Sequence, residues 1–317
     1  MSQSHIKYVK MKKWVVMLIA VSVCTLISSC DGGNDLDANG LPKVLKIGMY
    51  GGDNPAQTKD AVEPFRQYLQ KKMGMEVQLI FTTDYTAVIE GLRAHKIEAA
   101  QLTPFAYVLA TQKPGLTPIA TLGVDGKPSL YHSVIITNPK TGLKTMDDVK
   151  TRAKSLTMCF ADPASTSGHL IPRAYFNSIG LNPDHAFKEA IFAGSHAASI
   201  LSVISGKIDV GCTNIDLSLD KMMREGDVKR DEFVILWESP PIVNDAITVR
   251  NDLNKDFVKR LQDAYLSIAK EDYPAFDKFT RLYFPNTRNM EYIAIQDSMY
   301  DGLRRIAGKI KQFQVIK

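Results

Sequence analysis

The 317-residue chain has no CxxC pair, no HExxH and no histidine-rich loop, so nothing in it has the spacing of a metal site. GxGxxG and the P-loop are also missing, and the surroundings of Gly51-Gly52 form neither, so no nucleotide cofactor is implied. No G-x-S-x-G elbow and no Ser-Asp-Asn triplet occurs, which removes two common signatures of serine enzymes. No strict period runs through the chain, and its 20 glycines and 15 prolines are ordinary numbers; collagen, coiled coil and disorder are excluded as descriptions of the whole. Aspartate, glutamate and arginine are absent before residue 30, whereas Lys7, Lys10, Lys12 and Lys13 lie there. Those four lysines account for four of the five formal positive charges, leaving the remainder at +1, a poor match for nucleic acid. At 45% apolar and 23% charged the chain has ample core, and its length allows two domains.

The N-terminal thirty residues read as an address. Met11-Lys12-Lys13 precedes a largely apolar run over 14–27, broken by Ser22 and Thr25. That run is short of the ~20 residues a spanning helix needs and has the form of an export signal. It ends in Leu26-Ile27-Ser28-Ser29-Cys30, which resembles the lipobox of bacterial lipoproteins. The resemblance implies a signal peptide over 1–29, an acylated Cys30 as mature N-terminus, and a protein lipid-anchored on the periplasmic side of the cell membrane. Residues 30–41, polar and glycine-rich, read as a flexible tether. Of four cysteines, Cys159 and Cys212 remain beyond the signal, both in short apolar runs; a disulfide and two buried thiols are both open.

From Pro42 onward, strand and helix patterns alternate. Residues 44–49, 76–83, 99–102, 119–122 and 133–137 read as strands. A helix over 60–73 buries Val62, Phe65, Leu69 and Met73 and stops at Gly74. A second series has strands at 155–160, 190–192, 208–212, 233–237 and 246–249. Its helices fall at 165–179 and 195–205, and amphipathic helices at 255–271 and 296–313 follow. Such alternation predicts an α/β fold of two lobes, each a mainly parallel sheet flanked by helices. The expected lobes are 42–137 with 245–317, which makes the first lobe discontinuous, and 138–244, with hinges at 135–139 and 238–245. Ligands of open α/β sheets sit at the carboxyl ends of strands, so the strand-to-helix junctions matter most.

Two junctions carry chemistry. Ser165, Thr166 and Ser167 place three hydroxyls at a helix start, where unpaired backbone N–H groups and a partial positive charge suit an oxyanion. Ser165 serving only as an N-cap is the plainer alternative. In the next junction, Gly194-Ser195-His196, a histidine enters the first turn of the following helix and can donate to the same anion.

With these junctions in view, a set of motifs in fixed order resembles the phosphate/phosphite/phosphonate-binding protein family, the substrate-binding components of ABC importers. The motifs are Asp84-Tyr85-Thr86-Ala87, Thr103-Pro104-Phe105-Ala106-Tyr107, Ser165-Thr166-Ser167-Gly168, Gly194-Ser195-His196, Gly206-Lys207-Ile208-Asp209 and Ser239-Pro240-Pro241-Ile242 with Asp245. The resemblance implies a two-lobed periplasmic-binding-protein fold of type II that closes on a small phosphorus oxyanion and delivers it to an ABC permease in the inner membrane, with no cofactor; a monomer is expected. It implies that Ser165, Thr166, Ser167 and His196 grip the phosphorus oxygens and that Tyr85 and Tyr107 supply hydroxyls and walls from the first lobe. Asp245 would accept a proton held on the anion or pair with an amine, and Asp216 would face a ligand ammonium or simply cap its helix. Thr103-Pro104 stands where the family often has Gly-Pro, and Val243 and Ala246 stand where prolines are usual.

Two rival readings stand beside this one. A sensory lipoprotein presenting its ligand to a receptor kinase would have the same fold and site. An enzyme is suggested only by Ser218-Leu219-Asp220-Lys221 as a formal SxxK and by Lys140-Thr141-Gly142, in the wrong order. Ser218 is then expected on a polar helix face.

Overall fold

The computed structural model describes residues 36–52 and 54–310. The export signal and Cys30 lie outside these residues. The strands are β1 (Leu45–Tyr50), β2 (Val77–Thr82), β3 (Ala99–Leu102), β4 (Leu116–Val124), β5 (Lys127–Pro128), β6 (Leu130–Tyr131) and β7 (Ser133–Thr137). They continue with β8 (Thr157–Phe160), β9 (Glu189–Phe192), β10 (Val210–Asn214), β11 (Val234–Glu238), β12 (Ile242–Val243), β13 (Ala246–Arg250) and β14 (Met290–Ile293). One sheet runs β14-β4-β13-β3-β1-β2 with β5 on β4; the other runs β11-β7-β10-β8-β9; β12 and β6 form a separate ribbon.

Helices cover both faces of each sheet, as expected. Leu45, Ile47 and Met49 bury against one helical layer of the first sheet, Ala100 and Leu102 against the other. In the second sheet Ile135, Met158 and Cys212 face one layer, Val134, Ile136 and Cys159 the opposite one. Burial on both faces is why these strands read as continuous apolar runs. Cys159 and Cys212 are therefore free thiols on opposite faces of the sheet.

Three expectations need correction. The sheets are mixed rather than mainly parallel. β1 pairs parallel with β2 and β3, but β13 enters antiparallel between β3 and β4, as does β7 between β10 and β11 in the second sheet. These are the strands at the passages between lobes, which arrive without a helical crossover and so run against their neighbours. The break after residue 137 also moves upstream: β7 pairs with β10 and β11, so it belongs to the second sheet. The crossing is the β6–β12 ribbon, where the Asn244 N–H donates to the Ser129 carbonyl (3.1 Å) and Asn244 Nδ2 to Ser129 Oγ (3.1 Å). Finally, the helix predicted at 60–73 spans Pro55–Met73. Asn54 accepts from the Gln57 N–H and Pro55 opens the first turn, a start signal that apolar spacing alone does not contain. Gly74 ends it at φ 64°, a left-handed cap that disfavours a side chain.

Register delivers the site. Asn214 pairs with Ser133, and Ala246 with Leu102. The ends of β3, β8, β9 and β10 and the beginnings of β7 and β13 therefore meet along one edge, the carboxyl edge of the parallel strands.

Candidate functional site

β8 ends at Phe160, and a tight loop leads to Ser165, which caps a five-residue π-helical turn, Thr166–Leu170, that runs into the helix Ile171–Ser178. π-turns of this kind concentrate at functional sites. The loop is held from below. His169 is buried; its Nδ1–H donates to the Pro163 carbonyl (2.7 Å), and its Nε2 accepts from Arg173 Nε (2.8 Å). Arg173 in turn pairs with Asp184 (2.9 Å), while burial and then the adjacent guanidinium push the His169 imidazole down to about 3, so it stays neutral. From the crossing strands, Ser133 Oγ donates to the Ser167 carbonyl (2.6 Å).

Ser165 Oγ accepts from the Gly168 N–H (3.0 Å) and lies 3.2 Å from His196 Nε2. His196 Nδ1 lies 3.1 Å from Thr213 Oγ1. Two polarities satisfy this chain; in the one that serves an anion, the Thr213 hydroxyl donates to Nδ1 and the Nε2–H to Ser165 Oγ. Both acceptor positions of the serine are then filled, and its O–H is left as a donor. Ser165 is buried from solvent yet lines a cavity of about 120 Å³ between the two sheets. Gly168 makes the approach possible: a Cβ there would stand 2.4 Å from Ala161 Cβ and 2.9 Å from His196 Cε1.

Thr166 and Ser167 line the same cavity. Thr166 Oγ1 accepts the Phe105 N–H (2.8 Å) from the helix Pro104–Ala110 of the other lobe, so this hydroxyl fastens the lobes together. Asp245 faces them from the start of β13, where Gln101 Nε2 donates to Oδ2 (3.0 Å). Burial lifts its carboxyl to about 6, against the lowering effect of the Gln101 amide. Tyr85 also lines the cavity, with its ring centroid 4.3 Å from that of Tyr50. Ser165, Thr166, Ser167, His196, Tyr85 and Asp245 are thus brought together.

Tyr107 and Asp216 are not. The Tyr107 ring is fully buried, its hydroxyl donates to Asp297, and its face packs on Tyr300 (centroids 4.8 Å). Asp216 accepts from the His132 N–H (2.7 Å) and stands 3.3 Å from His132 Nδ1, outside the cavity. In the place expected of Tyr107 the structure puts Tyr131, whose hydroxyl meets those of Thr166 and Ser167; burial and then the Asp245 charge push it up. Gln101, Asn214 and Asn244 join it in the lining, and only their strand register could have marked them. Ser218, expected on a polar face, is buried and lines the cavity. Among the described residues, no group of three or more His, Cys, Asp or Glu could hold a metal ion.

The chain matches the family described as ABC transporter, phosphonate, periplasmic substrate-binding protein, over residues 47–300. It is 30% identical to the phosphonates-binding periplasmic protein of Escherichia coli over 229 residues, 72% of this chain and 67% of that protein. It is 27% identical to the phosphate-import protein PhnD of Mycolicibacterium smegmatis over 305 residues, 90% and 93% of the two. The structure is similar to that of PhnD1 from Prochlorococcus marinus in complex with methylphosphonate. The TM-score is 0.73 and the identity 25%, over 85% of this chain and 98% of that one.

Proposed function

The chain belongs to the family of phosphonate-type periplasmic substrate-binding proteins of ABC transporters, and from that premise we propose how it holds its ligand. A phosphorus oxyanion, whether phosphonate, phosphite or phosphate, sits between the Ser165–Ser167 turn of one lobe and Asp245 of the other. Ser165 donates its O–H, oriented by His196, and the backbone N–H groups of the turn add to it. Asp245 accepts the proton that the oxyanion retains. Each lobe holds only part of the site, so ligand favours the closed arrangement, in which Phe105 and Thr166 meet.

The observation that carries this reading is the Ser165 hydroxyl, which lines the cavity between the Gly168 N–H and the His196 imidazole, opposite a carboxyl of raised affinity for protons. A fully deprotonated, sulfate-like anion would set two acceptors against each other. The names of the relatives support the anion class: one is a phosphonates-binding protein, one a phosphate-import protein and one a probable phosphite-binding protein. We further propose that the protein is a monomer tethered by lipid at Cys30, a reading supported by the lipobox-like Leu26-Ile27-Ser28-Ser29-Cys30. Calorimetric titration with phosphonate, phosphite, phosphate and sulfate tests the ligand. Binding of at least one phosphorus oxyanion with exclusion of sulfate is expected, and a preference for sulfate would overturn the reading.

A further inference from the structure

The cavity is lined by two groups of residues, each knit within itself. One is the oxyanion group around Ser165 and Asp245. The other lies where the helix Pro55–Met73 begins opposite the helix Asp220–Glu225. There Lys221, which lines the cavity and is 13% exposed, donates from Nζ to Glu225 Oε2 (3.0 Å). Glu225 Oε1 accepts from Gln57 Nε2 (2.9 Å), joining the lobes at this place. Thr58 and Tyr283 stand close together across Gly52, whose Cβ would lie 3.4 Å from Thr58 Oγ1 and 3.3 Å from Tyr283 Oη. Phe279 and Phe284 complete the wall.

Lys221 is the one lysine or arginine among the described lining residues, and Asp245, in the other group, is the one carboxylate. An ammonium has three donors, and Glu225 takes one of Lys221's. Burial raises the Glu225 carboxyl, but hydrogen bonds from Gln57 and Lys221 outweigh it and hold the group below its ordinary value, so the pair is ionic. A positively charged substituent on the ligand would meet Lys221 as a like charge. The acid expected for such an ammonium, Asp216, is turned to His132 instead.

We infer that this second group is the subsite for the ligand's organic substituent. It takes a short substituent ending in a carboxylate, with Lys221 as the specificity-determining residue. The inference rests on the oxyanion reading of the Ser165 group. Lys221 bridges Glu225 and the substituent, and its low exposure of 13% leaves that charge interaction less screened than at the surface.

The test is calorimetric titration of the full chain with methylphosphonate, phosphonoacetate and 2-aminoethylphosphonate. The unaltered protein should bind phosphonoacetate more tightly than methylphosphonate, and the aminoethyl compound most weakly. In Lys221→Met the ratio of phosphonoacetate to methylphosphonate affinity should drop at least tenfold. Lys221→Gln keeps a donor without the charge and should show a comparable drop, and Lys221→Arg should keep most of the ratio. A preference for 2-aminoethylphosphonate, or an unchanged ratio in both uncharged variants, would overturn the inference. Binding of none of the three while phosphate or phosphite binds would overturn the inference, and binding of no phosphorus oxyanion at all would overturn the oxyanion reading itself.

Discussion

Ser165 Oγ lies 3.2 Å from His196 Nε2 and accepts the Gly168 N–H, so a proton on Nε2 leaves the serine O–H to point at the cavity. In that tautomer, with the Thr213 hydroxyl donating to Nδ1 at 3.1 Å, His196 acts on the anion through Ser165. A hydrogen bond to a charged group contributes about 1.5–3 kcal/mol. Ser165→Ala should weaken binding of a phosphorus oxyanion by roughly 10- to 100-fold on that basis. His196→Ala should cost a similar factor. The double variant should cost much less than the product of the two, because both act through one hydroxyl. Titration calorimetry of the three variants measures this.

Gly168 is a site of close approach. Any Cβ there meets Ala161 Cβ at 2.4 Å, a methyl carbon with no flexible chain end to swing away. Gly168→Ala should lower ligand affinity by at least tenfold and lower the thermal midpoint of the unliganded protein, read by scanning calorimetry, since overpacking a buried turn costs about 1–3 kcal/mol.

Asp245 predicts a pH dependence with a definite sign. Its carboxyl is raised to about 6 in the fold, from an ordinary value of 3.8. The folded state therefore holds the proton more tightly than the unfolded chain, and this stabilisation is full below pH 3.8 and is lost as pH rises through 6. Asp245→Asn should raise the stability of the unliganded protein at pH 8 by about 1–2 kcal/mol, with little change at pH 4. The same variant should narrow the discrimination against sulfate. Denaturant titrations at the two pH values, and sulfate titration at the higher one, check both.

Thr166 tests closure. Its Oγ1 accepts the Phe105 N–H across the cleft, so Thr166→Val leaves a buried amide without its acceptor in the closed arrangement, at about 1–3 kcal/mol. The open form should gain population, ligand affinity should fall by about tenfold or more, and the Phe105 amide should exchange hydrogen faster in the liganded variant. Hydrogen exchange read at that amide distinguishes loss of closure from loss of a ligand contact.

Cys159 and Cys212 are buried free thiols on opposite faces of one sheet, and burial pushes both up. Reductant should leave the thermal midpoint unchanged, and thiol reagents should label the two only in denaturant.

The helix starts at Ser165 and Ser195 were legible because caps and hydroxyls are local signals that the chain writes in consecutive residues. Lys221 and Ser218 were visible as an SxxK, but the sequence put Ser218 on a polar face, since the face a short helix turns to the cleft depends on the strand before it. Tyr107 and Tyr131 show the limit most clearly. Each is a lone aromatic beside a strand or helix start, and only tertiary packing sends Tyr107 to Asp297 and Tyr131 to the anion turn. Gln101 acquires its role by pairing with Ile247 and reaching diagonally to Asp245, in an antiparallel register that alternation alone predicted as parallel.

A crystal structure of the protein soaked with methylphosphonate tests the central claim most directly. It should show a phosphorus oxygen within hydrogen-bonding distance of Ser165 Oγ and another facing Asp245, with Phe105 and Thr166 in contact. Phosphonate bound elsewhere, or bound in the cleft with the Ser165 hydroxyl turned away from it, would contradict the account.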